Sequence, residues 1–125
     1  MLTTKQSKTA FEAVVQVAHD VATRLVAIQC GRPFLETFEL GYTPKRAVLE
    51  QLEAQFAEQM ASPEVRERAL TAATRATGIE NPDDLEKAAI AAALHPQAYR
   101  RGRIAGFDFA FKNAIAGFRS LHGWI

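Results

Sequence analysis

The sequence predicts an all-α, single-domain bundle of about five helices with a mostly buried C-terminal helix. Three observations point there. Helix-start signals recur at nineteen-residue intervals, at Thr43-Pro44, Ser62-Pro63 and Asn81-Pro82. Apolar residues repeat at steps of three and four towards both ends of the chain. The one irregular stretch, residues 32–43, has no second strand candidate to pair with. Ser, Thr or Asn before Pro suits a helix N-terminus. The side-chain oxygen accepts from an orphan backbone N–H, and proline's fixed φ fits the first helical position.

The first helix is expected over about Thr9 to Cys30, leaving residues 1–8 flexible. Phe11, Val14, Ala18, Val21, Leu25 and Ile28 form its apolar stripe, with Glu12, Asp20 and Arg24 outside it. Gly31 is expected to end it with a positive φ, and Pro33 to confirm the stop. Residues 32–43 read as a short helical turn near Phe34 to Leu40 plus a loop broken at Gly41, with Tyr42 adding apolar mass.

A second long helix is expected from the Thr43 cap to about Met60, with Val48 or Leu49, Leu52, Phe56 and Met60 inward. A third runs from Ser62 to Gly78 with a thin inner face of Val65, Ala69, Leu70, Ala72, Ala73 and Ala76. A fourth starts at Asn81 and continues to Leu94, with Asp83, Asp84 and Glu86 in its first turns, where the helix dipole favours negative charge. The residues after the three prolines do not match one another, so the even spacing is not a repeat array.

The last helix spans about Gln97 to Leu121. Ile104, Phe107, Phe111, Ile115 and Phe118 form one apolar stripe. Gly102, Ala105, Gly106, Phe109, Asn113, Ala116 and Gly117 lie opposite, so the helix is apolar or small nearly all round. Each interior glycine costs about 1 kcal/mol of helix propensity relative to alanine. Close helix approach would offset that. Two readings stay open: this is the central helix, or one of its faces meets a partner.

Composition narrows the function classes. The chain has 125 residues, 48% hydrophobic and 23% charged, with net charge +1 and one cysteine. That fits one globular domain with a core of its own. It offers no global field towards nucleic acid or membrane. A lone Cys30 fits a reducing compartment, and the polar start Met1 to Lys8 lacks a signal sequence. No run approaches the roughly 20 apolar residues of a membrane span. A cytoplasmic location is expected.

No catalytic constellation is visible. Glu-x-x-His is absent, and His19, His95 and His122 lie far apart, so no metal site is expected. His19 reads as a flank residue of the first helix, and Cys30 as a small part-buried hydrophobe at the end where the dipole does not activate a thiol. Neither a nucleophile elbow nor a phosphate-binding loop occurs. No cofactor is expected.

Charge is unevenly placed. Residues 95–125 carry Arg100, Arg101, Arg103, Lys112 and Arg119 against Asp108 alone. With Tyr99 beside the arginines, this region could grip phosphates, or its charges could pair within the chain, as Asp108 and Lys112 can. A helix-turn-helix reading of residues 77–81 fails, because Asp83, Asp84 and Glu86 would face the DNA. Lys45 and Arg46 are best matched with Glu50 or Glu53.

The leading expectation is a non-enzymatic protein-interaction module: a small regulator, adaptor or inhibitor that binds another protein, or itself as a homodimer, through helix surfaces. The alternative is a nucleic-acid-binding protein using region 95–119. The expected contact residues are Tyr99, Arg100, Arg101, Arg103, Lys112, Arg119 and Trp124. Trp124 serves either as an interface anchor or as a cap on the core.

Overall fold

A computed structural model describes residues 1–38 and 43–121, with side chains described through Gly117. The described residues form six helices: α1 (Thr4–Gln29), α2 (Arg32–Leu35), α3 (Arg46–Ala61), α4 (Pro63–Thr77), α5 (Asp84–Ala91) and α6 (Pro96–Leu121). Among the described residues the one β-type pairing is an isolated antiparallel bridge between Phe38 and Pro44. The all-α bundle is therefore the fold, with α2 as the short element expected near Phe34. Leu40, Gly41 and Tyr42 lie outside the described residues.

Local chemistry explains where the helices start. α1 begins five residues earlier than expected, because Thr3 and Gln6 form a capping box. The Gln6 backbone N–H donates to Thr3 Oγ1 at 3.0 Å, and the Thr3 N–H donates to Gln6 Oε1 at 2.9 Å. α4 starts as expected: Ser62 Oγ accepts from the Val65 N–H, and Gly78 closes the helix with a φ of 72°.

The other two Xaa-Pro signals do not start helices. Pro44 is buried in its bridge to Phe38, and the Lys45 N–H donates to the Thr37 carbonyl, so α3 begins two residues later. Asn81 takes a left-handed φ of 51°, and the cap of α5 is Asp83. Asp83 Oδ1 accepts from the Glu86 N–H at 2.8 Å while Glu86 Oε1 accepts from the Asp83 N–H. That reciprocal pair needs Glu or Gln at the third helical position. Starting from Asn81, that position would be Asp84. α5 also ends at Ala91, short of the expected Leu94.

α1 ends at Gln29, and Gly31 is extended, with a φ of −167°, capping α2. The positive φ expected there is not present. The cause is the immediate start of α2 at Arg32-Pro33, which draws Gly31 into an N-terminal role.

The core lies along α1. One cluster joins Val21 and Val26 of α1, Leu52, Phe56 and Met60 of α3, and Phe107 and Phe111 of α6. A second joins Ala10, Val14 and Val17 of α1, Ala69 and Ala73 of α4, Ile90 of α5 and Ala98 of α6. Two residues of the expected stripes are instead open to solvent, Ile28 at 71% and Ile104 at 52%.

Among the described residues the contact between α1 and α6 is the most extensive between any two helices. Ala10, Val14, Ala18, Ala22 and Val26 recur every fourth residue on α1, and all are buried. Ala98, Gly102, Gly106, Ala110 and Ala114 recur every fourth residue on α6. A Cβ built on Gly102 would sit 2.4 Å from Ala18 Cβ and 2.4 Å from the Val15 carbonyl oxygen. One turn on, a Cβ on Gly106 would sit 2.6 Å from the His19 carbonyl oxygen and 2.8 Å from Ala22 Cβ. Both helices advance together, so they run in the same direction. Four-residue rows on facing helices interlock as ridges and grooves. α6 is buried along this line from Ala98 to Gly106 and at Phe107, Phe111 and Ile115, half-buried at Ala110 and Ala114, and open on the side around Phe109.

Candidate interaction surface

The basic residues of α6 do not form one strip. Arg101 Nη1 donates to Glu12 Oε1 at 3.0 Å, and its guanidinium lies 5.5 Å from the Phe11 ring centroid. Arg103 Nη1 is 3.8 Å from Glu53 Oε2 on α3. Lys112 Nζ is 3.1 Å from Asp108 Oδ2 on its own helix. These pairs are largely solvated, so each adds only about 0–1 kcal/mol of stability. They engage three of the five basic residues expected to contact phosphate. Arg46 likewise pairs with Glu50.

Arg100 is exposed and has no carboxylate within 4.0 Å among the described residues. It borders a shallow groove of about 320 Å³ between α3 and α6, together with Tyr99, Arg103 and Glu53. Tyr99 is half-buried and packs against both core clusters, so most of its ring serves the fold. Arg119 and Trp124 lie outside the residues whose side chains are described, as do Phe118 and His122. The structure thus brings together Tyr99, Arg100 and Arg103, and sets Arg101 and Lys112 on other partners.

A different surface stands out. Phe109 projects from α6 with 56% of its surface open to solvent. Its inner side rests on the His19 ring, with centroids 5.6 Å apart and planes inclined at 47°. His19 is held there by the close crossing of Gly106 over its backbone. Its Nδ1 is buried with no hydrogen-bond partner, and lies 3.6 Å from Asp20 Oδ1. His19 is therefore a prop under Phe109, a role its flank position did not announce.

Beside Phe109 runs a groove of about 470 Å³ between α1 and α6. Thr23, Val26, Ala27 and Cys30 form one wall, and Ala110, Asn113 and Ala114 the other. The Thr23 hydroxyl is engaged on its own helix, by the His19 and Asp20 carbonyls, so the wall it contributes to is chiefly apolar. Cys30 is exposed here as a free thiol. The expected part-buried environment is not realised, because the chain turns away at the α1 C-cap before another element can cover it.

Among the described residues no three His, Cys, Asp or Glu side chains gather in one place, and no helix is long and apolar enough to cross a membrane. Set against known protein families, curated proteins and solved structures, the chain matches none.

Proposed function

We propose that this chain is a non-enzymatic protein-binding module whose docking face is the α1/α6 groove around Phe109. One observation carries the reading. A bundle that buries Phe107 and Phe111 on one side of α6 leaves Phe109 standing in solvent, braced from below and beside an apolar groove. Bracing removes the entropy that a free side chain loses on binding, and aromatic anchors next to pockets carry most of the energy at protein interfaces. The single free cysteine supports a cytoplasmic setting for that role.

The alternative, nucleic-acid binding through region 95–119, has less support. Arg101, Arg103 and Lys112 already face carboxylates of their own chain. Phosphate binding would first have to break those pairs.

Immobilised wild-type protein and the Phe109→Glu variant, incubated with extract of the native host, test the docking face. The wild type is expected to retain a protein at near-stoichiometric yield that the variant loses, with unchanged circular dichroism. Identical captured sets would overturn the reading. Capture of nucleic acid that vanishes in an Arg100/Arg101/Arg103 triple alanine variant would favour the alternative.

A further inference from the structure

We propose that the partner that covers Phe109 is a second copy of the chain, docked antiparallel along α6. The inference rests on the protein-binding reading above and names its partner. Ala105, Phe109, Lys112 and Ala116 are all exposed and line one seam of α6. Their spacing is four, three, four, so the seam reads the same in both directions.

A two-fold axis crossing the helix between residues 110 and 111 therefore maps the seam onto itself. Ala105 meets Ala116 of the second copy, and Phe109 meets its Lys112. Two-fold contacts require this reciprocity, in which each residue meets a different residue of the other copy and the same contact then recurs. The alanines let the helix axes approach closely. The Phe109 ring lies along the Lys112 stem, with the ammonium over its face.

Charge selects the same arrangement. Asp108 and Lys112 flank Phe109, sit 3.1 Å apart and are more than half exposed. In the antiparallel pairing each Asp108 also comes within reach of Lys112 of the second copy, so four charges alternate in sign. A parallel pairing in register sets Asp108 against Asp108 and Lys112 against Lys112, and is repelled. The antiparallel pairing also carries Phe109 to the rim of the opposing groove at Asn113.

Sedimentation equilibrium of the full chain across the micromolar to millimolar range tests this. The wild type is expected to dimerise reversibly. Asp108→Lys and Lys112→Asp each place like charges together, and should weaken the dimer by about tenfold or more. The double reversal D108K/K112D restores the alternation, and should return the dissociation constant to within a few-fold of wild type. Register is read by cross-linking in a Cys30→Ser background. Ala105→Cys protein mixed with Ala116→Cys protein should form a disulfide. Each variant alone should not, since its two thiols would lie about 16 Å apart along the axis.

A wild type that is monomeric at every concentration overturns the proposal. So does a dimer indifferent to these charges, or one that the double reversal fails to restore. If the wild type is monomeric yet host capture still depends on Phe109, the docking face stands and only the choice of partner falls. If capture fails as well, both fall.

Discussion

Replacing Gly102, Gly106 and Gly117 by alanine, one at a time, makes α6 its own control. All three are interior helical glycines, so each alanine gains about 1 kcal/mol of helix propensity. What differs is the space for a methyl group. At Gly117 nothing lies within 4 Å. At Gly102 the new Cβ would meet Ala18 Cβ and the Val15 oxygen at 2.4 Å, and the His19 backbone nitrogen at 2.8 Å. At Gly106 it would meet the His19 oxygen at 2.6 Å. Three of these four obstacles are backbone atoms of a packed helix and cannot rotate aside.

Relief requires α1 and α6 to separate by about 1 Å. A gap of that size forfeits a quarter to a half of each van der Waals well along the contact. Overpacking of this kind costs about 1–3 kcal/mol, and here falls at the upper end. Net of propensity, Gly102→Ala and Gly106→Ala should each destabilise the fold by about 2 kcal/mol. Gly117→Ala should stabilise it by about 0.5–1 kcal/mol. For a chain of 125 residues, about 4 °C of melting temperature corresponds to 1 kcal/mol. Thermal unfolding followed by circular dichroism should thus show drops near 8 °C for the first two and a rise of about 2–4 °C for the third. The same sign for all three would refute the close crossing.

Phe107→Ala removes a ring that is 4% exposed and packed edge-on against Phe56 and stacked on Phe111. Urea unfolding should show a loss of about 3–5 kcal/mol, and a loss below 1 kcal/mol would remove Phe107 from the core. Asp83→Ala breaks the capping box of α5 and should cost about 1 kcal/mol at neutral pH. An unchanged denaturation midpoint would show that the α5 N-terminus is held by something else.

Much of the fold was legible, and the failures have identifiable causes. Ser62-Pro63 and Gly78 bracket α4 because cap chemistry is local: it needs only the residues adjoining the helix end. The same signature misled at Thr43-Pro44 and Asn81-Pro82. A bridge back to Phe38, six residues earlier, claimed Pro44, and a stronger capping box two residues on claimed α5. The Thr3-x-x-Gln6 box is also a local signature, and it starts α1 well ahead of the apolar stripe. The four-residue ladders on α1 and α6 were also present as spacing, but a ladder acquires meaning only when a second one faces it.

The interaction surface was harder to read than the fold. Arg101 and Glu12 are far apart in sequence, as are Arg103 and Glu53, so no local rule foretells their pairing. Phe109 falls off the main stripe of α6, and only the depth of the neighbouring helices decides whether such a residue is core or solvent-facing. By itself, then, the sequence determined the class of fold, most of each inward stripe and one cap in three, since these follow from periodicity and from hydrogen bonds within a turn. Tertiary structure alone decided which charges are already neutralised and which aromatic stands free. Those outcomes depend on distances between segments that the chain brings together only when it packs.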